Sequence, residues 1–122
     1  MTFDEFWGVY PHYRTRSKKV MARAKWDLIT NGGMVASIRD DEGNTMRVTL
    51  QESPEVVIEG AKAYRMRLLE DDTPDYRYAA GAQVWLNQGR WEDIEEGERR
   101  ELAARLDRIL NRGNGVALRV VS

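Results

Sequence analysis

From Phe3 to Tyr10 the apolar side chains Phe3, Phe6, Trp7 and Tyr10 fall at helical spacing, and Thr2 followed three residues on by Glu5 reads as a capping box. A short first helix is predicted, stopped by Pro11. Ser17 is expected to cap a second helix in which Val20, Met21, Ala24 and Leu28 form one apolar stripe, ending at Asn31-Gly-Gly33. The period then changes. Met34, Ala36 and Ile38 alternate with polar residues, Asp40 to Asn44 reads as a turn, and Met46, Val48 and Leu50 alternate again, which predicts a β-hairpin. Ser53-Pro54 is a cap followed by a first-turn proline, and Val57, Ala61, Tyr64 and Leu68 give a third helix to about Glu70. An acidic loop, Glu70 to Asp75, leads to a shorter helix from Ala79 to Asn87. A last helix from about Glu95 to Asn111 carries Leu102, Leu106, Ile109 and Leu110 on its apolar side.

After Arg112-Gly-Asn-Gly115 the residues Val116, Leu118 and Val120 alternate as in a strand. A lone strand leaves its backbone groups unpaired, so this segment is expected to join the hairpin. The expected fold is therefore α+β, with about five helices, mostly as a bundle, and a small three-stranded antiparallel sheet made of the hairpin near 34–50 and a strand near 116–121. One domain over residues 1–122 is expected, with a helical module at 2–31 and 54–111 and a β addition at 34–50 and 115–121.

Composition narrows the chemistry. A chain of 122 residues that is 42% hydrophobic can bury a core of its own. Lys+Arg 19 against Asp+Glu 20 leave a net charge of −1, so any attraction for a polyanion has to come from how the cations are distributed. There is no cysteine, which excludes disulfides and thiolate zinc sites. No secretory signal pattern and no run long and apolar enough to span a bilayer is present, so the expected setting is the cytoplasm, without membrane contact.

The single histidine, His12, sits beside Pro11 with no triad-type partners near it in sequence and reads as an exposed turn residue. Neither Asp40-Asp-Glu42 nor the Glu70 to Asp75 segment follows a calcium-loop pattern, and no glycine-rich phosphate cradle occurs. No catalytic residue, metal ligand or cofactor is assigned, and the chain is expected not to be an enzyme.

Six Lys/Arg and no acid lie between Arg14 and Lys25: Arg14, Arg16, Lys18, Lys19, Arg23 and Lys25. Clustered cations neutralise phosphates, and the neighbouring Tyr10, Tyr13 and Trp26 offer faces on which bases could stack, so this run is the candidate nucleic-acid site. Trp7, Trp26 and Trp85 are expected in the core. Trp91, flanked by Arg90 and Glu92-Asp93, is expected to be partly exposed, and Arg90 and Trp91 complete the candidate site.

Four motifs in order carry a resemblance: Phe3-Asp-Glu-Phe-Trp-Gly-Val-Tyr-Pro11, then the basic run leading to Trp26, then Ile58-Glu-Gly-Ala-Lys-Ala-Tyr64, then Tyr78 seven residues before Trp85-Leu-Asn-Gln-Gly-Arg-Trp-Glu-Asp93. Over roughly residues 3 to 93 the chain resembles the C-terminal module of phage and prophage replication-initiation proteins of helicase-loader type. It departs from the family where Tyr78-Ala-Ala-Gly-Ala-Gln-Val-Trp-Leu-Asn87 lacks two prolines, and in the segment from Gly32 to Ser53, which is an insertion. The family's usual upstream domain is missing before Met1, which reads as an excised domain or a free-standing relative. The resemblance implies a non-enzymatic replication module that binds DNA, expected to be single-stranded, or a replicative helicase. The alternative is a small phage-encoded inhibitor or regulator that binds a host protein, for example an anti-defence protein.

Overall fold

A computed structural model describes residues 1–71 and 76–112, and the backbone of 113–121. The element order is α1 (Phe3–Val9), α2 (Lys19–Thr30), β1 (Met34–Arg39), β2 (Thr45–Leu50), α3 (Pro54–Glu70), α4 (Ala82–Asn87), a 3-10 turn (Arg90–Glu92) and α5 (Glu96–Val121).

The local signals act as their chemistry requires. The Thr2 hydroxyl accepts the Glu5 N–H at the start of α1, and the Ser53 hydroxyl accepts the Val56 N–H at the start of α3, where Pro54 fills a first-turn position that needs no donor. In the hairpin, Asp40 Oδ1 accepts the N–H groups of Glu42 and Asn44. The two strands then pair antiparallel from Met34 opposite Leu50 to Arg39 opposite Thr45. Met34 and Ala36 are buried, and β1 packs on α2. The expected acidic loop falls partly on residues 72–75, which lie outside the described residues.

Two departures from expectation concern architecture. Among the described residues the sheet has two strands, because the segment expected as a third strand at 116–121 belongs to α5, which is helical through Val121. Once a helix is nucleated, each added residue gains a local hydrogen bond, whereas a third strand needs a distant edge brought into register. Gly113 and Gly115, read as a stop, therefore lie inside the helix.

The second departure is α2. Its buried residues are Ala22, Trp26 and Ile29, while Val20, Met21 and Leu28 of the expected core stripe are exposed. The helix is apolar on two sides, and periodicity alone does not say which of them meets the bundle.

The core is aromatic. Phe6 stacks on Trp26 with centroids 5.4 Å apart and also meets Tyr10 and Trp85. Trp85 in turn meets Tyr10, Tyr64 and Trp91. α3 presents one side to this cluster and another to α5, where Ala63 and Met66 pack with Ile94, Leu102 and Leu106. Trp7 is half-buried at the edge of the cluster, while Trp26 and Trp85 are inside as expected.

Gly60 shows how closely α3 meets the 3-10 turn. A Cβ built there would sit 2.6 Å from Trp91 Cβ and 2.9 Å from Trp91 Cα, and the second of these is backbone that cannot rotate away. Overpacking of this kind costs about 1–3 kcal/mol. The Gly60→Ala protein is expected to lose about that much stability in denaturant unfolding, although alanine is the better helix former. An unchanged midpoint would mean that Trp91 is not clamped on α3.

Candidate nucleic-acid interface

The loop from Tyr13 to Lys18 is fixed against residues 77–83 by hydrogen bonds that no local rule foretells. Ser17, expected to cap α2, instead accepts the Ala82 N–H with its hydroxyl and so serves α4. The Gln83 side chain accepts the Lys18 N–H and donates to the Arg16 carbonyl. Arg16 Nη1 donates to the carbonyls of Arg77 and Ala79 at 3.0 and 2.7 Å. Next to this contact, the peptide of Ala80 is held from both sides, since Tyr10 Oη donates to its carbonyl and its N–H donates to Tyr64 Oη. Burial pushes the Tyr10 hydroxyl far above the usual phenol range, so it stays protonated and able to donate.

With Ser17 diverted, α2 starts at Lys19 with Lys18 as its N-cap, no side-chain cap and no acid in its first turn. Lys18 and Lys19 stand at the positive end of the helix dipole, an arrangement that costs roughly 0.3–1 kcal/mol per charge at an exposed end. Among the described residues no carboxylate lies within ion-pairing distance of Arg14, Arg16, Lys18, Lys19, Arg23 or Lys25. Several of these cations rest on rings instead: Arg14 and Arg16 over Tyr13, Lys19 over Trp7 and Arg23 over Phe3, with separations of 5.0 to 5.9 Å. Five cations of α3 and α5 are paired with carboxylates instead, while Arg65 of α3 lies over the Tyr76 ring. Lys62 pairs with Asp107, Arg67 with Glu98, Arg99 with Glu59, Arg100 with Glu96, and Arg105 with Glu70 and Glu101.

Not every residue of the candidate set belongs to this surface. Arg14, Lys18, Lys19 and Arg23 are exposed and make no side-chain hydrogen bond among the described residues. Arg16 is exposed but committed to the two carbonyls, and half-buried Lys25 donates to Asn87 Oδ1 on α4 at 3.1 Å. Arg90 lies over the Tyr64 ring and is paired with Asp93.

The exposure expected of Trp91 is corrected by the structure, where the ring is 2% exposed. Gly89, at φ +62, turns the chain so that Trp91 folds over Gly60, and the buried Arg99 side chain donates to its carbonyl. The charged neighbours that suggested exposure point elsewhere. Of the expected stacking faces, Tyr10 and Trp26 are buried and only Tyr13 is partly open. The aromatic that the sequence reading left out of the site is Tyr78, 70% exposed and lying between the two residues whose carbonyls Arg16 grips. Its position next to Arg16 is a tertiary contact without a sequence signature.

Among the described residues no three His, Cys, Asp or Glu side chains gather as metal ligands, and no helix is long and apolar enough to cross a membrane. No protein-family model, curated protein or solved structure gives a significant match to the chain.

His12 is half-buried, not exposed as expected, with its ring 4.1 Å from that of Trp7. Because the Trp7 carbonyl can only accept, Nε2 carries the proton and donates to it at 2.8 Å, which leaves Nδ1 buried without a partner. Burial lowers the imidazole pKa below its usual range, the Trp7 hydrogen bond opposes this, and the charge of Arg65 adds to it. The unfolded chain therefore takes up this proton at higher pH than the folded one. The contribution is fully present above about pH 6.5 and is lost as pH falls from there through the folded value. The melting temperature is expected to fall from pH 7 to pH 5 more steeply in the native protein than in His12→Gln. Parallel curves in the two proteins would show that His12 carries no such linkage.

Proposed function

We propose that this protein is a non-enzymatic module that binds single-stranded DNA across the loop at Tyr13–Lys18 and the start of α2. The observation that carries the reading is the uncapped, cation-bearing N-terminus of α2, left without acids in a molecule where Lys62, Arg67 and Arg99 of α3 and α5 are each paired with a carboxylate. A phosphate there would receive the open N–H groups of the first turn, offset the unfavourable charge on the dipole, and meet Lys18, Lys19, Arg14 and Arg23 around it. Tyr78 supplies a face for one base, and Tyr13, already stacked with two guanidinium groups, flanks it. The resemblance to the C-terminal module of replication-initiation proteins points in the same direction. Inhibition of a host protein would use a different surface, the exposed apolar side of α2.

A labelled oligothymidylate titrated at 50 and 200 mM salt is expected to lose affinity by about fifty-fold, the effect of four phosphate contacts on a single strand at a slope of about −0.7 each. In Lys18/Lys19/Arg23→Ala that slope should shrink by about two. This variant should melt close to the native protein, since relief of the Lys18 and Lys19 repulsion from the helix dipole offsets the lost contacts of Lys19 with Trp7 and of Arg23 with Phe3, and the melting curve separates lost binding from lost folding. Tyr78→Ala should weaken binding by about 1–3 kcal/mol with little change in slope. Absence of saturable binding at low salt, or identical binding by the triple variant, would overturn the assignment.

A further inference from the structure

The exposed apolar side of α2 borders a groove of about 390 Å³ lined by Met21, Ala24, Lys25, Leu28, Met34, Val35 and Asn87. Met21, Leu28 and Val35 are 53%, 52% and 65% exposed. On α2 the residues Met21, Ala24 and Leu28 follow the i, i+3, i+7 spacing with which one helix receives another, over a length of about 10 Å. Isolated exposed apolar residues need no explanation, but several lining one concavity between a helix, a strand and a second helix do.

The charges around the groove indicate what would fill it. Its only charged lining residue is Lys25, whose ammonium bridges α2 to Asn87 on α4. Strand alternation puts Arg39 on the same face of the hairpin as Val35, and Arg47, opposite Ser37, on that face as well. Neither arginine has a carboxylate partner among the described residues. Arg39, Arg47 and Asp27, the only acid of α2, all lie outside the lining, so Lys25 and the two arginines outnumber the one carboxylate beside the groove. A second copy docked symmetrically would set one cation-rich patch against another, which is less favourable than an acidic partner. A flat bilayer surface would leave unfilled a groove whose lining includes the buried Met34. An amphipathic helix with leucine-like residues on one side and carboxylates along its flanks satisfies both the apolar lining and the cationic rim.

We infer that the α2–β1–α4 groove is a docking site for an acidic amphipathic helix of a protein partner. The site is distinct from the proposed DNA surface, and Lys25, assigned from sequence to nucleic acid, belongs to it.

The test uses the full chain and a fluorescein-labelled peptide of roughly 18 residues, long enough to hold a helix, with Leu at the i, i+3, i+4 and i+7 positions and Glu elsewhere. Saturable binding is expected, at least about tenfold weaker for Met21→Glu and for Leu28→Glu and unchanged for Lys18/Lys19/Arg23→Ala. Both glutamate variants replace exposed side chains and should keep the native circular dichroism spectrum and melting temperature. The same peptide with Lys in place of Glu should bind at least about tenfold more weakly. The inference is overturned by no binding of the Glu peptide, by equal binding of the Lys peptide, or by equal binding to both glutamate variants. It is also overturned by sedimentation showing that the groove is filled by a second copy, or by binding to phosphatidylserine vesicles that Met21→Glu and Leu28→Glu abolish. Because the triple variant separates the surfaces, failure here leaves the DNA measurement standing, and the converse holds.

Discussion

Contact of the Trp85 ring with Phe6, Tyr10, Tyr64 and Trp91 is the constraint on which the rest of the molecule depends. Those five rings come from α1 with its C-cap, α3, α4 and the 3-10 turn, so one cluster sets the mutual positions of elements far apart in sequence. Each ring pair adds roughly 0.5–1.5 kcal/mol beyond the apolar area it hides. Several such pairs around one indole also fix geometry, because offset and edge-on packing tolerate little sliding. Gly60 is part of the same constraint, since only a residue without a side chain lets the backbone at Trp91 approach α3 so closely.

From that cluster the structure passes outward through two tyrosine hydroxyls to the peptide of Ala80, and from there to the loop that carries the cations. Arg16, Ser17 and Gln83 complete the attachment. The surface proposed to meet DNA is thus built on a rigid core, which spares a ligand the entropy of ordering the loop. Its charge is local. With a net charge of −1 the molecule as a whole has little attraction for a polyanion, and exposed ion pairs of the kind found on α3 and α5 contribute about 0–1 kcal/mol each to stability. They also neutralise Lys62, Arg67, Arg99, Arg100 and Arg105, whereas Arg14, Lys18, Lys19 and Arg23 have no carboxylate partner among the described residues.

α2 ties the two surfaces together. One side of it, with Ala22, Trp26 and Ile29, meets the aromatic core; another, with Met21, Ala24 and Leu28, borders the groove; its N-terminus, uncapped, bears the lysines. A helix with so many apolar positions outside the core is hard to explain by folding alone, since each exposed one gains nothing from burial in the free protein. The hairpin, which supplies Met34 and Val35 to the lining and carries Arg39 and Arg47 on the same face as Val35, is what turns an exposed helix side into a groove.

Much of the local structure was legible in the amino-acid sequence. Thr2 and Ser53-Pro54 start their helices and Asp40 to Asn44 turns the hairpin, because caps and turns are contests among groups a few residues apart. The basic run was legible as composition, and four of its six members form the open cationic surface. What the sequence left open depends on partners distant along the chain. Which apolar side of α2 is buried, whether Ser17 caps its own helix or α4, where Trp91 points, and how Tyr78 comes beside Arg16 are all decided when the elements pack. So is the fate of the C-terminal segment, where alternation over six residues fits a strand but helix propagation from Glu96 prevails. Local hydrogen bonding is written in neighbouring residues, whereas burial is settled only by which surfaces meet.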